Sequence, residues 1–386
     1  MYRIGKEEID AVARVIESKE LFKVNSGNLK ETENFEKELR EKLGVKHAVA
    51  MTSGMAALTS ALIGMGVGPG DEVIVPAYTY IATATAVLAT GAIPVVAEVN
   101  ETLMIDPDDI ENKISPRTKV IIPVHMKGYA ADMDAVMAVA KKHNLMVLED
   151  ACQAVGGTYH SKRLGTIGDA GAFSFNYFKV ISAGEGGALL TNNKEIFEKG
   201  LIYHDCCAVA YFGDQMQGFS TPVFCGTEYR TNEISSAILR VQLSRLDGII
   251  ADLKKNHDML AEKLEGHFKL IKPNDPEGGC GTQLSIFFDS KDEAIDFNHR
   301  CTAHTYCAMM GKHIYNDWKI LLDKNGAAHP LMNPFNMEAN KNAPEFTEDM
   351  CPKSLDIVSR CIQIDINPDW TIDEIENIAK AMIAAK

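Results

Sequence analysis

Three short strings in this 386-residue chain carry side chains able to do chemistry, and each lies where an apolar run ends. In MTSGMAAL, Gly54 opens a small-residue helical pattern directly after Thr52-Ser53. The free N–H groups of such a helix start form a general anion site, and glycine lets a phosphate come close. A merely capped helix start is the competing reading. In MVLEDACQA an apolar run ends on Glu149-Asp150, with Gln153 three residues further on. A carboxylate there suits a cationic ring nitrogen, while capping of a following helix is the alternative. In FSFNYFKVISAGEGG a buried strand pattern delivers Ser174 and, five residues later, Lys179 within a glycine-rich stretch. Desolvation of that lysine favours the neutral amine that Schiff-base chemistry needs. Together the strings offer a partner to each polar part of pyridoxal 5'-phosphate. Ser174 and the helix start suit its phosphate, Asp150 its pyridine nitrogen, Gln153 its ring oxygen and Lys179 its aldehyde.

The elements that must position these residues follow from the apolar pattern. Val- and Ile-rich runs at HAVAMTS, DEVIVPA, IPVVAEV, KVIIPVH, LMVLED, GAFSF and GALLTN alternate, in the earlier part, with helical patterns of about 10–15 residues. This predicts an α/β fold with a mostly parallel sheet covered on both faces, and ligands bind beyond the carboxyl ends of such strands. We expect a helical lead over residues 1–20, a large domain over 21–245 and a smaller α+β domain over 246–386. A long helical pattern, SSAILRVQLSRLDGIIADLKKNHDMLAEKLEG, leaves the large domain near 235. In the smaller domain QLSIFFD and RCIQIDIN read as strands and EAIDFNHRCTAH as a helix. A polar, Pro- and Asn-rich excursion runs through 324–350. A closing helix in DWTIDEIENIAKAMIAA has Asp369 or Thr371 as its cap.

Composition narrows the function classes. The chain is 46% hydrophobic and 24% charged, which is ordinary for a soluble globular protein. A net charge of -14 argues against nucleic acid and against an anionic membrane surface as partners. No run approaches the roughly 18–20 apolar residues that span a bilayer, and MYRIGKEEID lacks a signal-peptide core. Nine cysteines, an odd number, fit reduced thiols and a cytoplasmic location. Weaker signals remain. GVGPGDE reads as a turn, lacking the Lys-Ser/Thr of a phosphate loop. His299, Cys301, His304 and Cys307 lie on one expected helix, where a structural role outweighs a metal site, so no metal is expected. Nothing near Cys206 and Cys207 indicates an activated thiolate. His204, Tyr315 and Trp318 are candidates for the substrate pocket, with a surface-loop role the alternative for His204.

The ordered set IGKEEIDAVARVI, GVKHAVAMTSGMAAL, GDEVIVPAYTYIATATAVLATGAIPVVAEV, PVHMKGYAADMD, LEDACQA, FSFNYFKVISAGEGG, VQLSRLD and DWTIDEIENI resembles the DegT/DnrJ/EryC1/StrS family of sugar aminotransferases over nearly the whole chain. The resemblance implies an aspartate-aminotransferase-like, type I fold. It also implies a homodimer with shared active sites and a cofactor cycling between pyridoxal and pyridoxamine phosphate. An amino acid, glutamate or glutamine, would be the donor and a keto- or aldehyde-sugar the acceptor, for amino-sugar, cell-surface polysaccharide or lipopolysaccharide synthesis. Lys179 then carries the Schiff base and Asp150 faces the pyridine nitrogen. Gln153 meets the ring hydroxyl, Tyr80 stacks on the ring, and Ser174 with the Gly54 and Met55 amides holds the phosphate. Several strings look closest to the branch that aminates an oxidised 3-deoxy-octulosonate. Dehydratases of the same family carry His in place of the lysine, so Lys179 favours transamination; a non-catalytic, cofactor-binding regulator is the other alternative. Two positions depart from the family pattern. Met55 stands where Thr is common, and Glu228 in GTEYR replaces an Asn that reaches the partner subunit's phosphate. A carboxylate beside a phosphate is repulsive unless Glu228 turns away, Arg230 offsets it or the cofactor is held differently.

Overall fold

The computed structural model describes residues 3–23, 27–207, 219–309 and 311–386, so the start of the helical lead and part of the polar stretch after it lie outside the described residues. Seven strands form the main sheet: β1 (His47–Met51), β2 (Glu72–Pro76), β3 (Ile93–Ala97), β4 (Thr118–Ile121), β5 (Met146–Asp150), β8 (Ala170–Ser174) and β9 (Gly187–Thr191). The two-residue strands β6 (Thr158–Tyr159) and β7 (Lys162–Arg163) make a separate hairpin. Spatial order is β1-β9-β8-β5-β4-β2-β3. Only β9 runs against its neighbours, pairing antiparallel with β1 and β8, while the remaining pairs are parallel. The carboxyl ends of β1, β2, β4, β5 and β8 therefore share one edge. Every residue of β2, β3, β8 and β9 is buried, which is why these strands read as continuous apolar runs rather than alternating ones.

The helices of this part are α1 (Lys6–Ser18), α2 (Glu31–Leu43), α3 (Gly54–Gly64), α4 (Ala82–Ala89), α5 (Pro107–Lys113), α6 (Met133–His143) and α7 (Lys194–Tyr203). Helix α3 is apolar all round and packs between β8, β9 and α7, with nine of its eleven residues buried. Its small side chains allow that close fit, and its start is fixed by Ser53, whose hydroxyl accepts the Ala56 amide at 3.1 Å.

The unbroken helix α8 (Glu233–Leu264) leads to an antiparallel sheet of β10 (Lys269–Leu270), β11 (Gln283–Phe287), β12 (Tyr306–Cys307) and β13 (Cys361–Asp365), in the order β10-β11-β13-β12. Around it lie α9 (Lys291–Arg300), α10 (Lys319–Leu322), α11 (Pro352–Ser359) and α12 (Ile372–Ala385). Thr371, not Asp369, caps α12, in a reciprocal box with Glu374. We propose the division at 245/246 on the basis of the two sheets; α8 runs through that point. Helix α9 ends at Arg300, so the expected helix through 304 is too long. The chain turns instead toward β12, which pairs with β13. His299, Cys301, His304 and Cys307 do not share a helix, and no metal-binding cluster occurs among the described residues.

The excursion after β12 returns to the main sheet. Ile314 bridges Tyr78, and the amides of Thr79 and Ile81 donate to the carbonyls of His313 and Lys312, both at 2.9 Å. This covers the carboxyl end of β2 with residues 312–314.

Candidate active site

The first turn of α3 presses against the end of β8. A Cβ on Gly54 would lie 2.7 Å from Cys152 Sγ and 2.8 Å from Ser174 Cβ, closer than real contacts allow. Among the described residues the amides of Gly54 and Met55 have no acceptor, and Ser174 Oγ accepts from Asn176 (3.4 Å) but donates to nothing. Two amides at a helix N-terminus and one hydroxyl thus converge as an anion cradle. Met55 contributes its amide; its side chain is 38% exposed and its sulfur accepts the Thr85 hydroxyl at 3.8 Å.

Asp150 lies on the next strand beyond β8 along the same edge, buried at the end of β5. Its Oδ2 accepts the Thr83 hydroxyl at 2.8 Å and its Oδ1 the Cys152 amide at 3.2 Å. No helix starts within 151–157, so Asp150 is not a helix cap. The next layer fixes it. Its amide donates to Pro123 O and its carbonyl accepts from the His125 amide, both at 3.0 Å. His125 Nδ1 accepts the Ala131 amide at 3.1 Å, so Nε2 carries the proton and donates to the fully buried Glu149 at 2.9 Å. Glu149 also accepts the amides of Gly165, Ile167 and Gly168, tying down the loop that enters β8. Gln153 Oε1 accepts the Lys127 amide at 3.1 Å, which orients the side chain and leaves its NH2 as the available donor.

Lys179 sits in the turn after β8, half-buried, and its Nζ makes no hydrogen bond or ion pair among the described residues. It lies within electrostatic reach of Cys152 and Lys127. Burial, reinforced by Asp150, holds the Cys152 thiol well above its ordinary range. Beside these groups opens a cavity of about 390 Å³ lined by Tyr78, Tyr80, Lys127, Tyr306, Lys312 and His313, with Ala308, Gly311 and Gln363 completing the wall. Tyr80 is 43% exposed, its ring 5.5 Å from that of His313. The residues fit pyridoxal phosphate in their donor set: an anion cradle, a buried carboxylate, an amide donor and an unengaged amine on one edge.

The structure places the three remaining candidates away from this wall. Tyr315 and Trp318 are fully buried, and their polar atoms are used by backbone: Tyr315 donates to Glu348 O (2.8 Å) and Trp318 to Lys312 O (3.1 Å). They support the 312–314 segment from behind and offer a substrate no polar atom. His204, buried at the end of α7, donates from Nδ1 to Leu201 O at 2.6 Å and lies 3.4 Å from Lys23 Nζ. Burial, and next Lys23, hold its pKa well below the ordinary histidine value. Because the folded state then binds fewer protons, stability is full above about pH 6.5 and falls below it, by up to about 1.4 kcal/mol per pH unit. We expect His204→Asn, which keeps a donor for Leu201 O, to lose less stability than the parent protein between about pH 7.5 and 5.5 in denaturant titrations. Equal losses would assign the acid sensitivity elsewhere. Glu228 is met by Arg230, whose guanidinium pairs with Glu228 at 2.6 Å and also with the buried Asp205.

Thr83 and Lys127 were not singled out by sequence reading. Thr79, just before α4, and Thr83, in its first turn, bring their hydroxyls within 2.7 Å of each other.

Residues 2–316 match the DegT/DnrJ/EryC1/StrS aminotransferase family. The chain belongs to that family. SpsC of Bacillus subtilis (strain 168), a spore coat polysaccharide biosynthesis protein, is 41% identical over 273 residues, 69% of this chain and 68% of the relative. GDP-perosamine synthase of Caulobacter vibrioides is 43% identical over 56% of this chain and 57% of its own length. The chain thus spans little more than half of that relative. Among solved structures, 3-amino-5-hydroxybenzoic acid synthase aligns at TM-score 0.81 and 27% identity, covering 100% of this chain and 97% of its own. The aminotransferase from Psychrobacter cryohalolentis gives 0.81 at 28%, covering 100% and 98%. The fold of this family member is therefore type I of the pyridoxal-phosphate-dependent transferases. No described helix is long and apolar enough to cross a membrane.

Proposed function

We propose that this family member is a pyridoxal-phosphate-dependent aminotransferase that moves an amino group from glutamate or glutamine to a keto- or aldehyde-sugar. We place it in amino-sugar or cell-surface polysaccharide synthesis, as a cytoplasmic homodimer with shared active sites. The observation that carries this reading is the unengaged Lys179 amine on the same strand edge as the Gly54/Ser174 cradle, Asp150 and Gln153. The bound cofactor would supply an electron sink for the carbon that gains or loses the amine. Lys179 would hold the cofactor covalently and then, released, carry the proton between the two reacting carbons. Asp150, oriented by the Thr83 hydroxyl, would keep the ring nitrogen protonated. Gln153 would donate to the ring oxygen, and the Gly54 and Met55 amides with Ser174 would anchor the phosphate. Tyr80 would bound the ring on its exposed side. A dehydratase on the same scaffold has no use for a proton-carrying lysine, so Lys179 favours transfer.

The test follows the visible absorbance of the holoenzyme on addition of glutamate, glutamine and a broad amine panel. We expect one donor to bleach the band and one keto-sugar from a panel to restore it. If no amine changes the spectrum, the transfer reading falls and a non-catalytic binding role takes its place.

A further inference from the structure

The hydroxyl that orients Asp150 is itself met by a second hydroxyl. Thr83 Oγ lies within reach of three acceptors: Asp150 Oδ2 at 2.8 Å, Thr79 Oγ at 2.7 Å and the Tyr80 carbonyl at 3.1 Å. It has one proton to place. The Tyr80 carbonyl already accepts the Thr83 amide at 3.0 Å, and of the three acceptors only Asp150 carries the charge that strengthens such a bond. The proton therefore goes to Asp150, and Thr83 meets Thr79 as an acceptor. Thr79 has no comparable choice, since its other contact, the Tyr80 carbonyl, stands at 3.5 Å. The bonds run in one direction, from Thr79 to Thr83 to Asp150.

Both threonines are fully buried, so water does not stand in for a missing donor. The backbone fixes where Thr79 stands. It lies just past β2, its amide donates to the His313 carbonyl at 2.9 Å, and its neighbour Tyr78 bridges Ile314. Thr79 is thus pinned by the 312–314 segment on one side and reaches the first turn of α4 with its hydroxyl on the other. A hydroxyl that accepts a hydrogen bond becomes the stronger donor, by roughly 10–30% per bond. Without Thr79, the bond from Thr83 to Asp150 weakens, and the Thr83 proton is freer to turn to the Tyr80 carbonyl.

We propose that Thr79 is a positioning residue for the amino transfer. By donating to Thr83 it keeps the Thr83 proton on Asp150, which favours the ionised carboxylate and leaves the proton shared with the cofactor on the ring nitrogen. The proposal rests on the amino-transfer reading for the place of that ring.

The test reads the nitrogen NMR signal of labelled pyridoxal phosphate bound to the folded protein, beside kcat and KM. In Thr79→Val the signal should stay on the protonated side but move toward the unprotonated position, because a less stabilised Asp150 draws harder on the shared proton. The kcat should fall about two- to fivefold with KM unchanged, the size expected for one cooperative bond lost behind a charged one. Thr79→Ser, which keeps the hydroxyl, should restore both readings. Acting through Thr83, Thr79→Val should add nothing to the signal shift or the kcat loss of Thr83→Val. The nitrogen signal comes from loaded, folded protein, so a general loss of stability does not mimic it. An unmoved signal in Thr79→Val would overturn the proposal, as would a Thr79→Ser protein no better than Thr79→Val or effects that add in full to those of Thr83→Val. The expected signal shift in a protein that no amine donor bleaches would keep the role of Thr79 toward the ring and reject the transfer reading.

Discussion

Lys179→Ala protein, incubated with pyridoxal phosphate and borohydride and then digested, is expected to carry no phosphopyridoxyl mass on the peptide spanning 175–186. The parent protein is expected to carry it on Lys179. Transamination should fall by at least ~10²–10⁴-fold, the range that a positioned proton carrier contributes, with the lost covalent attachment adding to it. The geometry makes the result specific. The Lys179 side chain is half-buried and makes no hydrogen bond or ion pair among the described residues, so its removal leaves no buried partner unsatisfied. The thermal midpoint of the cofactor-free protein should therefore match that of the parent. Lys127 stands close enough to Lys179 to interact electrostatically and is a lysine that could take over. Its ammonium is engaged by Tyr306, and its turn is clamped to Gln153 and Thr282. A reduced adduct found on Lys127 in the Lys179→Ala protein would reassign the covalent role.

Much of the candidate site was legible in the sequence because a parallel sheet turns sequence position into spatial position. When strands run in one direction, the residue at the end of each apolar run falls on one edge. Gly54, Asp150 and Ser174, about 100 and 24 residues apart, could therefore be assigned to one edge from the pattern alone. The strand order was not legible. It sets β4 beside β5 and brings the 126–128 turn against Gln153, which is how Lys127 reaches the site. Tyr306 and Asp365 come from the other sheet, and no local pattern announces a contact between sheets. The misplaced candidates fail for a related reason. Tyr315 and Trp318 lie in a segment expected to shape the acceptor pocket, yet this segment folds back on β2 and buries both rings. His204 was expected after a strand-rich segment, lining the pocket or on a surface loop, yet it follows α7 and is buried beside Lys23, which itself donates to Ala50 O of β1. The helix through His299–His304 failed because pairing of β12 with β13 overrides local helical preference after Arg300.

Asp150→Asn is the substitution expected to lower turnover most without removing the covalent link. The side chain keeps its shape and one oxygen that can accept from Thr83 or the Cys152 amide, so the fold and one of the two neighbouring hydrogen bonds survive. What is lost is the charge. A neutral amide cannot hold a proton on a pyridine nitrogen, and the ring becomes a poorer electron sink. Removal of one preorganised electrostatic group typically costs about 10²–10³ in kcat, and we expect a loss in that range with KM little changed. Cofactor affinity should fall much less, because the phosphate is anchored separately at Gly54, Met55 and Ser174. Nitrogen NMR of labelled cofactor should report a protonated ring in the parent protein and an unprotonated one in the variant. Thr83→Val separates orientation from charge. It deletes the 2.8 Å hydrogen bond while leaving Asp150 ionised, so the ring should stay protonated and the loss should be smaller, in line with the about 1.5–3 kcal/mol that a hydrogen bond to a charged group contributes. A kcat for Asp150→Asn within about threefold of the parent would show that the carboxylate is not the ring's partner, since an electrostatic contribution of the usual size could not vanish unnoticed.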